Sequence, residues 1–233
     1  MARVRRVVTT RAGGTSAAPY DTFNLSHASR DPAVPDNRAR LAASIGLPTE
    51  RLVWMRQVHG ATVHAVDGSS GGHQLPAGDG LVTAEPGLAL LALAADCVPV
   101  LMADPVAGVV GAAHAGRRGA VAGVARATVE AMVGLGAQPG RIDVLLGPAV
   151  CGNCYEVPAA MRDEVEAALP GSSTTSGRGE PSLDLRAGLA VQLASANVAT
   201  VVIDPACTME EQRFYSYRRD GETGRFAGVV WLQ

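Results

Sequence analysis

Three apolar runs follow one another between residues 87 and 114: "GLALLALAA" (87–95), "VPVLMA" (98–103) and "GVVGAAH" (108–114). A strand with one wet face alternates apolar and polar residues, whereas these runs are apolar at almost every position. That pattern belongs to strands covered on both faces. The longest run stops at Asp96 and is too short to cross a bilayer. The chain must therefore bury its sheets between other layers.

The rest of the chain supplies those layers. Further β-like runs are "VVTT" (7–10), "LVWMRQV" (52–58), "TVHAV" (62–66), "IDVLLG" (142–147), "VATVVID" (198–204) and "AGVVWL" (227–232). Helical patterns sit between them. "NRARLAASIGL" follows Pro35 and Asp36, with Asp36 as the expected N-cap. A second helix carries Val121, Val124, Ala125, Val129, Met132 and Val133 on its apolar face, with glycines at 134 and 136 to end it. "PAAMRDEVEAAL" (158–169) opens with proline at a helix start, and "DLRAGLAVQLASA" (184–196) is the last helix. "PGSSTTSGRGEPS" (170–182) reads as a flexible exposed loop. There is no internal repeat. Strands interleaved with helices predict an α/β protein with mixed sheets. The 233 residues, 47% of them hydrophobic, suit one domain over 1–233 with a sizeable core.

Charge narrows the partners. Twenty basic and 22 acidic residues leave a net charge of −2, with no pull toward nucleic acid or an acidic membrane. Every basic residue is arginine, so neither a Schiff-base lysine nor a P-loop lysine exists. The N-terminal arginines have no apolar segment behind them, and four cysteines do not make a disulfide scaffold. The expectation is a cytoplasmic protein with reduced thiols.

Chemistry can reside at two cysteine patterns. "CGNC" (151–154) is a lone Cys-x-x-Cys, and only Cys207 is a further distant candidate for a structural zinc site. Two ordinary cysteines in a turn is the favoured reading. His59, Cys97 and His114 share a different design. "MRQVHG", "AADCVPV" and "GAAHAG" each place a soft or imidazole donor at the end of a β-like run, where α/β proteins gather their sites. Two histidines and one cysteine would leave a fourth zinc position open. Their spacing matches no short zinc signature, so a buried cysteine and two satisfied histidines remain the alternative.

Arginines form the second clue. Arg117 and Arg118 open the helix after His114, where cations oppose the helix dipole and an anionic ligand would explain them. "YSYRRDGETGR" adds Arg218, Arg219 and Arg225, and "DNRARL" adds Arg38. Solvated charges are the simpler reading of any single one.

The motifs "TTRAGGTS", "YDTFNLS", "DNRARL", "QVHGATV", "GDGLVT", "ADCVPVL", "HAGRRG", "GPAVCGNCYEV" and "FYSYRRDGETGRFAGVVW" together resemble the YfiH-like family. That family carries the older names polyphenol oxidase and laccase-domain protein, and is associated with purine nucleoside phosphorylase activity. The resemblance implies a layered α/β/β/α sandwich with mixed β-sheets, related to toxin-type cysteine hydrolases. It also implies one zinc, or copper in its place, on His59, Cys97 and His114. Arg117 departs from the family, which has tryptophan there; Arg118 matches. "SRDP" (29–32) departs as well, where the family often has Gly-Asp.

On this resemblance the expected reaction is phosphorolysis of adenosine, inosine and related nucleosides, with adenosine deamination as a second activity. Asn37, Arg38, Asp96 and Arg118 are the expected catalytic residues, and Asn24 and Arg218 the expected substrate contacts. Three other readings stand beside it. They are a cysteine hydrolase or deamidase using Cys97 and His114, a copper polyphenol oxidase, and a non-enzymatic peptidoglycan-editing factor.

Overall fold

The computed structural model describes residues 1–26 and 29–233; His27 lies outside them. Its first strands are β1 (Val4–Val8), β2 (Leu52–Arg56), β3 (Val63–Ala65), β4 (Gln74–Ala77) and β5 (Gly80–Thr83). The central ones are β6 (Ala89–Ala94), β7 (Val98–Asp104), β8 (Val109–Ala115) and β9 (Asp143–Leu146). The last are β10 (Ser173–Thr175), β11 (Pro181–Leu183), β12 (Thr200–Ile203) and β13 (Phe226–Leu232). The helices are α1 (Val34–Ser44), α2 (Arg117–Val121), α3 (Val124–Gly134), α4 (Ala159–Ala168), α5 (Leu185–Ser195) and α6 (Tyr217–Asp220).

Two mixed sheets stack face to face. One has the order β1-β13-β6-β2-β4, the other β12-β9-β7-β8-β5-β3. The apolar runs are read out on both faces at once. In β7, Leu101 and Ala103 point into the layer between the sheets, where they meet Leu90 and Ala92 of β6 and Val230 of β13. Val98, Val100 and Met102 point the other way, onto Val124, Val129 and Met132 of α3 and Leu189 of α5. On the far side Leu91 of β6 and Trp231 of β13 pack on Leu41 and Ala42 of α1. A helix layer thus covers each outer face, giving α/β/β/α. No helix among the described residues is long and apolar enough to cross a membrane.

Several elements depart from expectation. Helix α1 starts at Val34, before Pro35, and Asp36 lies inside its first turn rather than at the N-cap. Proline has no N–H to lose there, and an acidic residue in the first turn suits the dipole. The N-terminal strand runs over Val4–Val8 because it pairs antiparallel with β13, from Val4↔Leu232 to Val8↔Gly228. Residues 170–182 are not simply a loop: β10 and β11 pair antiparallel there. The Glu166 carboxylate accepts from the N–H groups of Gly171 and Ser173 at that entrance, at 2.9 and 2.7 Å.

The helix expected after Val121 is split into α2 and α3 by Gly123, whose φ is 83°. A side chain there meets no neighbour closer than the mobile end of Arg126, so the cost of Gly123→Ala is purely that of the left-handed backbone, about 1–2 kcal/mol. Thermal unfolding of this variant is expected roughly 2–8 °C lower.

Candidate active site

Strand pairing assembles the site. β7 and β8 are antiparallel with Val98 opposite Ala115 and Pro99 opposite His114. Cys97, one residue before β7, therefore arrives beside His114 and Gly116. His59 comes from the turn after β2 and has a left-handed φ of 60°. Donor atoms of His59, Cys97 and His114 all lie within 4.8 Å of one another, with His59 Nε2 3.7 Å from Cys97 Sγ. Gly116 makes this approach possible. A Cβ there would sit 2.5 Å from His59 Cδ2 and 2.8 Å from Cys97 Sγ.

Asp79, one residue before β5, holds the cluster from behind. It is fully buried. Its Oδ1 lies 2.9 Å from His114 Nδ1 and accepts from the His59 N–H at 3.0 Å. Its Oδ2 accepts from the Gly60 N–H at 2.7 Å, and the Val58 N–H reaches both oxygens at 3.2 Å. An ionised carboxylate only accepts, so His114 Nδ1 carries a proton toward Asp79 and Nε2 is the ring nitrogen left to ligate a metal. Burial alone would raise the Asp79 carboxyl, but these contacts hold it below the usual carboxylate range.

Burial also opposes charge on Cys97 and His114, yet their mutual attraction overrides it. The imidazoles of His114 and His59 bring the Cys97 thiol down to about 6. The thiolate and Asp79 take His114 up to about 9. A thiolate, two imidazoles and a carboxylate behind one of them form a donor set that fits a single zinc ion with an open position.

The cluster opens into a cavity of about 560 Å³. Five arginines line it: Arg38, Arg56, Arg117, Arg218 and Arg225. The only carboxylate among the lining residues is Asp96. It is already engaged, since Oδ1 accepts from Thr208 Oγ1 at 2.7 Å and Oδ2 from the Arg218 N–H at 2.7 Å. Arg38 is 1% exposed, stacked 3.7 Å over the Trp54 ring. Its Nε and Nη2 donate to the Leu25 carbonyl at 3.1 and 2.7 Å. Its Nη1 has no hydrogen-bond partner among the described residues, and burial lowers the guanidinium to about 9. Arg218 lies 4.8 Å over the Tyr155 ring. Met55, Leu93, Ala94, Ala95, Val150 and Leu185 form the apolar wall.

Arg38, Asp96 and Arg218 thus reach the cavity with His59, Cys97 and His114. Three other expected residues do not. Arg118 is exposed and faces a separate groove with Glu164 and Ala168; Arg117 is the one of the pair that lines the cavity. Asn37 is fully buried and spends its amide on Ser16, Thr22 and Asn24. Asn24 is equally buried, bonded to Ser29, Asp31, Ser26 and the Arg225 backbone. Both asparagines pin the 16–26 segment, whose Ser26 lines the cavity. Asp79 was not among the expected residues, although it stands in the "GDGLVT" motif. Tyr155 and Arg56 were also missed.

The structure adds a second cluster. Cys151 and Cys154, read from the sequence as ordinary turn cysteines, share a donor group with Cys207 and Glu210. His64 and His73 join neither cluster; each ring instead meets a backbone carbonyl, of Ala77 and of Gly71.

Comparison with known proteins follows the same outline. The profile of a family described as multi-copper polyphenol oxidoreductase laccase matches residues 5–233. A Mycobacterium tuberculosis protein named purine nucleoside phosphorylase is 58% identical over 233 residues, covering 99% of this chain and 93% of the relative. The crystal structure of YlmD from Geobacillus stearothermophilus superposes with a TM-score of 0.92 at 35% identity, covering 99% of this chain and 92% of that one. The structure of Bacillus licheniformis hypothetical protein YfiH gives 0.90 at 30% identity, with coverages of 99% and 93%.

Proposed function

The chain belongs to the multi-copper polyphenol oxidoreductase laccase family, and on that premise, with relatives named purine nucleoside phosphorylase, we propose that it is a metal-dependent purine nucleoside phosphorylase. One observation carries this reading. Five arginines surround the mouth of a His-Cys-His cluster, and the only carboxylate among them is already hydrogen-bonded. Such a cavity attracts a dianion, and phosphate is the dianion that phosphorolysis consumes.

In the reaction a phosphate oxygen attacks C1′ of the nucleoside as the bond from C1′ to the purine nitrogen breaks. The bonding pair leaves with the base, which takes up a proton, and the sugar becomes ribose 1-phosphate. The transition state has oxocarbenium character, so the protein's contribution is placement and charge. Arg218, Arg225 and the free Nη1 of Arg38 hold the phosphate. The apolar wall from Met55 to Leu185 receives the planar base and excludes water from C1′. Asp96, fixed by Thr208 and the Arg218 backbone, shapes the floor and donates nothing.

His59, Cys97 and His114 would hold the metal, and zinc suits two imidazoles and a thiolate. When bound, such an ion supplies Lewis-acid chemistry and lowers the pKa of water, which is what adenosine deamination requires. Copper would bind the same donors. A multi-copper centre needs more histidines than this, since among the described residues only His59 and His114 share a donor cluster.

The test is a panel of adenosine and inosine, with and without phosphate, on metal-quantified protein. Base release is expected to need phosphate. Arg218→Ala removes a charge-assisted contact of about 1.5–3 kcal/mol and is expected to slow turnover by roughly 10- to 100-fold. Arg118→Ala is expected to leave turnover and metal content unchanged. Arg117→Trp exchanges a cation for an aromatic wall, and is expected to keep turnover while shifting preference between the two nucleosides.

A specific observation favours one second reading. Cys97, His114 and Asp79 stand in the order nucleophile, base, orienting carboxylate, as a cysteine hydrolase would need. That role requires a metal-free thiolate. Stoichiometric metal bound through Cys97 rules it out. Loss of turnover with retained folding in ligand variants counts against a purely non-enzymatic, peptidoglycan-editing role.

A further inference from the structure

The donor atoms of Cys151, Cys154, Cys207 and Glu210 all lie within 4.8 Å of one another. They share no residue with the His59 cluster. The Cys151 N–H donates to Cys207 Sγ at 3.4 Å, and the Cys154 thiol donates to Glu210 Oε1 at 3.4 Å.

The backbone holds both arms in place. The N–H groups of Cys154 and Tyr155 both donate to the Cys151 carbonyl at 3.0 Å, closing the tight Cys-x-x-Cys turn. A parallel bridge pairs Ala149 with Cys207, and the Thr208 N–H donates to the Ala149 carbonyl at 3.1 Å. The Glu211 N–H closes back on the Cys207 carbonyl at 2.9 Å. Arg219 Nη1 then caps the carbonyls of Thr208 and Met209 at 2.7 and 3.3 Å.

Three thiols and a carboxylate in one place suit a cation better than they suit each other. In a tetrahedral zinc site with Zn–S near 2.3 Å the sulfurs stand about 3.8 Å apart, which these donors reach with small side-chain movement. A disulfide would use only two of the four groups and leave a thiol and Glu210 without a role.

We propose that Cys151, Cys154, Cys207 and Glu210 form a second metal site, which takes one zinc(II) in a three-thiolate, one-carboxylate shell. All four positions are filled by protein, the mark of a structural rather than a catalytic ion. Its task is to clamp the cavity wall. Val150 and Tyr155 line the cavity, the Val150 N–H donates to the Asp96 carbonyl at 3.1 Å, and Thr208 holds the Asp96 carboxylate.

Zinc content of the full chain, purified under reducing conditions in zinc-containing buffer, tests this. Wild type is expected to hold about two zinc ions per chain, and Cys97→Ser and Cys154→Ser about one each. The double variant is expected to hold none. With cobalt(II) in place of zinc, the thiolate-to-metal absorption is expected to fall more in Cys154→Ser than in Cys97→Ser, because three of the four metal-bound thiolates belong to the second site. Should Cys154→Ser fail to fold, Glu210→Ala at an exposed position is expected to weaken retention of one zinc against a competing chelator by at least about tenfold. One zinc in wild type that is kept in Cys154→Ser and lost in Cys97→Ser overturns the second site and leaves the phosphorylase reading intact. A mass two hydrogen atoms short under these conditions, marking a disulfide among the three cysteines, overturns it as well.

Discussion

Asp79→Asn is expected to cost about 3–5 kcal/mol of folding stability, because it removes a fully buried charge that four donors share. An asparagine oxygen can still accept from His114 or from the 58–60 turn. Its NH₂ group, however, then faces N–H donors and finds no acceptor. In a domain of this size that loss corresponds to a fall of roughly 6–20 °C in the unfolding temperature. Metal affinity is expected to fall as well, by about 10- to 100-fold, since Asp79 orients one ligand ring and positions the backbone of the other. Calorimetry and metal titration read the two effects separately. Unchanged stability and metal affinity in Asp79→Asn would remove the carboxylate from its organising role.

Cys97→Ser is expected to abolish turnover and to lose the ion at the His59 cluster. Serine keeps the size of the side chain but replaces a thiolate by a neutral hydroxyl, a far poorer ligand for zinc. Removing a ligand itself has a larger effect than the roughly 10- to 100-fold typical of an outer contact. The fold is expected to survive, because Cys97 is only half-buried and the strands beside it pair through their backbones. Metal content and base release on one preparation, with the unfolding temperature as control, check the three statements together. Full metal content and turnover in this variant would place the chemistry elsewhere.

The layered fold was legible because its cause is local. Leu101 and Met102 are adjacent and both apolar, and each faces a different buried layer. His59, Cys97 and His114 were legible as donors at strand ends. Asp79 was not, because its role depends on β5 pairing with β8 so that Gly80 lies opposite Ala113. The resemblance singled out Arg118, whereas Arg117 is the one of the pair that lines the cavity. Neighbouring residues on a helix point about 100° apart, and only the docking of α2 decides which of them faces the cavity. On the resemblance, Asn24 was an expected substrate contact and Asn37 an expected catalytic residue. Here they satisfy buried backbone groups instead. The Cys151 cluster was hidden for a further reason. Its third cysteine is far along the chain and arrives through the isolated bridge between Ala149 and Cys207, which no local pattern announces.

The fate of the sugar tests the central claim most directly. Metal-quantified protein is given inosine with and without inorganic phosphate, and base and sugar products are measured together. Phosphorolysis predicts that hypoxanthine appears only with phosphate, matched mole for mole by ribose 1-phosphate. Release of free ribose, or of base at the same rate without phosphate, would contradict it.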